Sequence, residues 1–593
     1  MGSIADTKPT SAVHLRPATK RWWKESSVYQ IYPASFKDSN GDGIGDLPGI
    51  ISKLDYVQSL GVDMVWLNPI FCSPQVDMGY DISDYYNIHP PYGTVEDVDR
   101  LAKALHERGM KLILDLVVNH TSDKHPWFQS AISSKDSPYR DFYIWKKPKI
   151  GPDGRRQPPN NWKACFGGSA WEYDEASGEY YLHLFAKEQP DLNWENPRVR
   201  EEVHKIIRFW LDRGCNGFRM DVINFISKDQ SFPDAPITDP SSPWQNGSKY
   251  FACGPRLHEY LREIGDILKE YDAFSVGEMP EVNDPDEILK AVGSDRGELC
   301  QIFYFEHVSL DYPPSGSKYL HRDWELTELK TIVAKWQTFM HQNDGWNALY
   351  LENHDQPRSV SRYASDAPEH RELSAKMLAT FLGFQSGTPY IYQGQELGMP
   401  NVPRHWGIDK YRDIETLNAW KEFTEKHPND EALRKEFLAG IWLKSRDNAR
   451  TPVQWDSSPY AGFSTVEPWI PVHDDYQSCT AAAQINDPDS VYHYWARVLR
   501  LRKTYPDTLV YGSFELLSPD HPDVFVYSRT SSEGRAVVVL NFRPQEVSWT
   551  VPAGLPKIGE VILTNYPGKS RSLEGTISLA PLEAFVWLEV VRN

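Results

Sequence analysis

The 593-residue chain has no run of 18 apolar residues, so no membrane-spanning helix is expected. Basic residues are in deficit, 63 Lys plus Arg against 82 Asp plus Glu, for a net charge of -19. Phosphate backbones need a basic surface, which excludes nucleic acid as the main partner. Cysteine is scarce. The six stand at positions 72, 165, 215, 253, 300 and 479, none in CxxC spacing. Neither a disulfide scaffold nor a zinc cluster is expected from them, and buried small hydrophobes is the plainer reading. The first 19 residues are polar, contain Pro and lack the apolar run of a secretory signal, so a flexible N-terminus and a cytoplasmic protein are expected. Internal repeats and low-complexity tracts are also missing. What is plentiful is aromatic: 21 Trp, 31 Tyr and 24 Phe. Rings stack on the apolar faces of sugars, although an aromatic core has the same composition.

Short apolar strands alternate with helical patterns. They begin at Val28, Met64, Lys111, Gly217, Ala273, Gln301, Ala348 and Pro389. Eight such units imply a parallel sheet closed into a (β/α)8 barrel of the TIM type, an α/β fold. The gap between the third and fourth starts, at 111 and 217, is too long for one unit. It predicts a subdomain inserted over 121–193. The barrel is then expected over 20–120 and 194–507, with a second insertion at about 398–487. Residues 508–593 carry short strands between Gly and Pro turns and predict a C-terminal all-β sandwich.

In such barrels chemistry sits at the C-terminal strand ends. Strand three ends Asp115-Leu116-Val117-Val118-Asn119-His120, and strand four carries Arg219 and Asp221. Strand five ends at Glu278, and strand seven at Glu352-Asn353-His354-Asp355. A barrel core is penalised heavily by unpaired carboxylates, so acids converging from several strands point to catalysis. Arg219 and Asp221 are two apart and share a face, so the guanidinium should keep Asp221 ionised, as a nucleophile requires. Glu278, near apolar walls and an anion, should have a raised pKa, as a general acid requires. This pair is the equipment of a retaining glycosidase. His120 and His354 are candidate donors to sugar hydroxyls.

The segments Asp115–His120, Gly217–Asn224, Val276–Pro280 and Glu352–Arg358 resemble the conserved regions of the α-amylase family of glycoside hydrolases. Gln189-Pro190-Asp191-Leu192-Asn193 resembles the marker of its oligo-1,6-glucosidase subfamily, which also holds maltases and isomaltases. The resemblance implies Asp221 as nucleophile, Glu278 as acid and base, and Asp355 as the group that binds ring hydroxyls and favours a distorted sugar. It implies Tyr80 stacked under the terminal glucose, with Asp81, His120, Arg219 and His354 on its hydroxyls. It implies an Asp81–Arg446 pair closing the non-reducing end, with Arg450 as the alternative to Arg446. Phe166 and Phe185 would line the entrance. Val222, next to the nucleophile, goes with α-1,6 cleavage in the resembling family, whereas Thr or Ala there goes with α-1,4 maltases.

The function expected is an exo-acting α-glucosidase on small α-glucoside oligosaccharides of isomaltose type, with glucosyl transfer to sugars as a further activity. A maltase or sucrose-cleaving enzyme is the runner-up, and an inert binding homologue the remote rival. An endo-acting amylase is disfavoured, because the Asp81–Arg446 pair would wall off longer chains. The loop Asp38–Asp46 places oxygen ligands at alternate positions like the start of a calcium loop, but without its closing Glu. The resemblance implies one structural Ca2+ or Mg2+ there, held by Asp38, Asn40, Asp42 and Asp46 with the Ile44 carbonyl. Asn119-His120-Thr121 and Asn246-Gly247-Ser248 match glycosylation acceptors and are read as chance.

Overall fold

The apolar runs become eight parallel strands: β1 (Val28–Ile31), β2 (Met64–Leu67), β3 (Lys111–Leu116), β4 (Gly217–Met220), β5 (Phe274–Glu278), β6 (Gln301–Phe303), β7 (Ala348–Leu349) and β8 (Thr388–Tyr392). The structure is a computed structural model that describes residues 19–313 and 316–591. The flexible stretch expected over 1–19 therefore lies, Thr19 apart, outside the described residues. The strands pair in the order β6-β5-β4-β3-β2-β1-β8-β7. A parallel bridge between Ile302 and Asn347 joins the two ends into a ring. Both faces of a parallel sheet are covered, which is why these strands read as nearly unbroken apolar runs.

Alternation sends every second residue inward. Val28, Trp66, Ile113, Val276, Phe303, Tyr350 and Tyr390 form one buried interior cluster. The Phe303 ring lies 5.7 Å from Trp66 and 4.7 Å from Tyr390. The barrel is thus filled, and a cavity can form only above this plug, at the C-terminal strand ends. Register places Asp115 opposite Arg219, and Glu278 opposite Phe303.

The outer helices present apolar stripes to the sheet. On Pro197–Asp212 the stripe is Val199, Val203, Ile206, Ile207 and Trp210, spaced as a helix requires. Asn196 caps that helix with Pro at its first position, and Thr94 and Asp97 form a capping box on Val95–Glu107.

After β3 comes a three-stranded antiparallel sheet of Trp145–Lys146, Glu179–Leu182 and Trp171–Asp174. Its core of Trp162, Trp171, Leu182 and Leu184 also takes in Val222, Phe225, Phe232 and Phe251 from the segment after β4. The inserted unit therefore shares its core with that segment rather than closing on itself within 121–193. After β8, helices α1 (Ile414–Lys426) and α2 (Glu431–Lys444) pack together, with the Phe423 and Phe437 rings stacked at 3.9 Å.

The C-terminal strands form a five-stranded and a two-stranded sheet. Val524, Val526, Val537, Val539, Trp549, Leu579 and Trp587 are buried between them, as in a sandwich. Among the described residues no helix is long and apolar enough to cross a membrane.

Candidate active site

Arg219 is the hub. Its Nη1 donates to Asp115 Oδ1 at 2.9 Å and Asp221 Oδ1 at 2.7 Å, and its Nη2 lies 2.7 Å from Glu278 Oε2. The strand register already set Asp115 beside it, and the two-residue spacing set Asp221 on its face. Burial pushes the Asp221 carboxyl up to about 6; Arg219 opposes the rise and Asp115 adds to it. Asp221 is therefore ionised at neutral pH. Burial pushes Glu278 up to about 8, against Arg219 and with the charges of Asp221 and Asp355. Glu278 therefore holds its proton at neutral pH, and its carboxyl shares the Arg219 guanidinium with that of Asp221. Two carboxyls held by one guanidinium on one cavity floor suit a retaining pair.

Asp355 differs. Burial alone would raise it, yet the His354 ring, Arg446 and Arg450 hold it well below the usual carboxylate range. Arg446 Nη1 reaches its Oδ1 at 3.2 Å and Arg450 Nη2 at 3.0 Å. Burial lowers His354 to about 4, so the ring is neutral near pH 7. The Gln30 amide donates to Nδ1 at 2.9 Å, which leaves Nε2–H to face Asp355 at 3.0 Å. Tyr80 stacks on that ring at 5.2 Å and 11°, and its hydroxyl meets Nε2 at 2.6 Å.

These groups floor a cavity of about 240 Å³. Asp221, Glu278, Asp355, Tyr80, His120, Phe166, Phe185, Val222 and Arg446 all line it. Arg219 and His354 lie just beneath, with side chains 1% and 0% exposed.

Asp81 is a correction. It does not line the cavity, and Arg446 does not reach it. Its carboxylate accepts from the Ser73 hydroxyl and from the backbone N–H groups of Val76 and Asp77, so it ties its own loop together. The acid that meets Arg446 is Asp77, at 2.9 Å. Burial raises Asp77 to about 6 against the pull of Arg446, and the Gln189 amide donates to its other oxygen at 3.3 Å. The cavity is therefore closed by Asp77–Arg446, and the argument against long chains entering from that end passes to this pair. Arg446 is the cavity-lining arginine, whereas Arg450 works from behind through Asp355 and the His354 carbonyl.

Sequence reasoning missed Asp413 as well. It caps α1 and accepts from Arg446 Nε at 2.8 Å and Nη2 at 2.6 Å. An N-cap Asp before a helical run is visible in a sequence, but its second partner is not. Phe225, Glu281, Phe305, Lys318 and Glu415 also line the wall, without any earlier signal, and Gln356 lines it from the segment Glu352–Arg358.

Val222 adopts a left-handed backbone, φ 33° and ψ 45°. A β-branched residue pays for that conformation, and such strain gathers at functional sites. Here it turns the Val222 N–H onto Glu278 Oε2 at 3.2 Å while the isopropyl group faces the cavity. Phe185 packs against His120 at 5.0 Å and Phe166 at 5.5 Å, and Arg446 lies over the Phe166 ring at 5.0 Å.

The donor set of the Asp38–Asp46 loop is all hard oxygen, which suits Ca2+ or Mg2+. Its carboxylates are turned to the loop itself. Asp38 accepts from Asn40, Gly41, Gly43 and Ser464, Asp42 from Ile44 and Asn40, and Asp46 from Ser39 and Gly49. Among the described residues no three acidic, His or Cys side chains converge as a cation cage. The chemistry of the set fits a cation; its present geometry is that of an Asx-rich turn.

Comparison with known proteins agrees with this architecture. Residues 30–512 match the alpha amylase catalytic domain, and residues 514–587 the maltogenic amylase C-terminal domain. An alpha-glucosidase of Schizosaccharomyces pombe is 55% identical over 92% of this chain and 94% of its own. An oligo-1,6-glucosidase of Parageobacillus thermoglucosidasius is 50% identical over 95% of this chain and 98% of its own. The crystal structure of a trehalose-6-phosphate hydrolase of Bacillus licheniformis superposes with a TM-score of 0.90 at 43% identity. It covers 97% of this chain and 100% of that one.

Proposed function

We infer the chemistry from a settled premise: the chain belongs to the α-amylase family of glycoside hydrolases. It is an α-glucosidase of that family. The observation that carries the mechanism is one guanidinium touching two carboxyls, of which Glu278 is raised further than Asp221, at the base of a cavity closed at one end. In the first step, ionised Asp221 attacks the anomeric carbon of the terminal glucose while Glu278 gives its proton to the leaving oxygen. A glucosyl ester on Asp221 results. Glu278, now a carboxylate, takes a proton from water as the water attacks, and α-glucose leaves. Asp355, held anionic, accepts from ring hydroxyls, and the Asp77–Arg446 pair stops the cavity after one sugar. A sugar hydroxyl in place of that water gives glucosyl transfer.

The bond cleaved is the α-1,6 bond of isomaltose-type oligosaccharides. Val222 supports this, because its apolar branches line the cavity next to Asp221 and offer no hydrogen bond there. The 55% identical alpha-glucosidase supports a maltase as the second reading. A panel of isomaltose, maltose, nigerose, trehalose, sucrose and soluble starch tests both. Isomaltose is expected to lead, and Val222→Thr to shift the isomaltose-to-maltose ratio of kcat/KM by about tenfold toward maltose. Maltose leading in the wild type would establish the maltase instead.

A structural cation belongs to the same reading. Asp38, Asn40, Asp42, Asp46 and the Ile44 carbonyl would hold Ca2+ or Mg2+ at the cost of their Asx turns, and no chemical step involves it. Millimolar Ca2+ added to chelated protein is expected to raise Tm by a few degrees, about 1–3 kcal/mol of linkage, and to leave kcat unchanged. An unmoved Tm means that the turn stands alone. The six free cysteines support a reducing, cytoplasmic setting.

A further inference from the structure

A second cavity, of about 680 Å³, lies in the inserted unit and shares no lining residue with the catalytic one. The turn Arg140–Phe142, the strand Trp145–Lys146, the start of helix Pro197–Asp212 and the segment after β4 all contribute to it. Its charge runs against that of the chain. The net charge is -19, yet this lining sets Lys135, Arg140, Lys146 and Arg198 against Asp141 and Glu179. Glu179 is already taken by Arg140 at 2.7 Å and Lys135 at 3.6 Å. Lys146 and Arg198 form no ion pair among the described residues and are held by rings instead. Lys146 Nζ lies 4.5 Å over Phe232, and the Arg198 guanidinium 5.0 Å over Phe142. A ring positions a cation without neutralising it, so both charges remain for a ligand. Arg198 Nη1 also donates to the Pro138 carbonyl at 2.8 Å, which fixes its direction. Phe232, the ring under Lys146, takes a left-handed backbone, φ 48°. A bulky side chain resists that conformation, and such strain gathers at binding sites.

We propose that this cavity binds a small phosphate monoester, separately from the catalytic site. A monoester carries about -1.5 to -2 charges near neutral pH, which matches the two cations left without a carboxylate. Its oxygens also suit the fork of a guanidinium. A neutral sugar suits the cavity less. Arg140 already covers the Trp145 ring at 3.2 Å, Lys146 covers Phe232, and Tyr143 is buried, so no ring face is open for stacking. The site does not depend on the glucosidase chemistry, since the two cavities have separate walls. A phosphorylated sugar and a nucleotide present the same headgroup.

Isothermal titration of the full chain with glucose 6-phosphate and with AMP tests the site, at about 0.1 M salt and with excess glucose to occupy the catalytic cavity. One ester or both is expected to bind saturably with Kd below about 1 mM, and inorganic phosphate to compete. Arg198→Glu and Lys146→Glu are each expected to weaken that binding about tenfold or more, with Tm unchanged. Arg198 is exposed at the start of a helix, where an acid is favourable, so Arg198→Glu decides if Lys146→Glu melts early. Lys103→Glu makes the same charge change on an exposed face of helix Val95–Glu107 and is expected to leave Kd within about twofold. Tighter glucose 6-phosphate assigns a sugar phosphate, and tighter AMP a nucleotide. No saturable binding of either ester, no competition by inorganic phosphate, or an equal loss in Lys103→Glu overturns the site.

Discussion

Asp221→Asn is expected to lower kcat/KM on isomaltose on the order of 10⁴-fold or more without lowering Tm. The loss follows from chemistry: an amide does not form the glucosyl ester, and the steps that share that intermediate fail together. The unchanged Tm follows from the sign of the pKa shift. Asp221 titrates at about 6 in the fold, above an ordinary carboxyl, because burial penalises its charge. The ionised form therefore costs stability above that pH, and a neutral amide of the same shape removes the cost. Arg219 keeps Asp115 and Glu278 as partners. A variant retaining more than about one per cent of activity would remove Asp221 from the nucleophile's role.

Glu278→Gln is expected to cost about 10²–10⁴-fold on isomaltose and far less on the first step with p-nitrophenyl α-glucoside. A sugar alkoxide needs a proton to leave, whereas p-nitrophenolate does not. The pH profile reads the same residue. In the wild type kcat/KM falls below about 6 as Asp221 takes up a proton, and above about 8 as Glu278 loses one. Both apparent values belong to the pair. In Glu278→Gln on the aryl glucoside the alkaline fall disappears and the acid fall remains. An alkaline limb that persists assigns it to another group.

The parts of this site legible in the sequence are those set by strand periodicity. Arg219, Asp221 and Glu278 sit at strand ends, where a period of two and the rule of C-terminal ends place them, whereas Asp355 lies in the turn beyond β7 and was legible by its motif. The loops were less legible. Asp77 and Asp81 flank Tyr80 in one short loop, and either could have met Arg446. Which one faces the cavity depends on the Ser73 hydroxyl and two backbone N–H groups capturing Asp81, a local competition that no spacing encodes. Asp413 reads as a helix cap because it is one, and its grip on Arg446 depends on an insertion folding back over the barrel. Phe225, Phe232 and Phe251 lack any period, so nothing in their spacing ties them to the unit inserted after β3. The left-handed turn at Val222 is the reverse of what a β-branched residue prefers, and propensity alone would never place it there.

The central claim is a covalent glucosyl intermediate on Asp221, formed between two carboxyls held by one guanidinium. Proton NMR of the first turnovers on isomaltose tests it directly, because anomeric signals of α- and β-glucose separate before mutarotation mixes them. The account predicts α-glucose first, with the β anomer growing in slowly afterwards. β-Glucose as the first product would mean a single displacement by water and would contradict it.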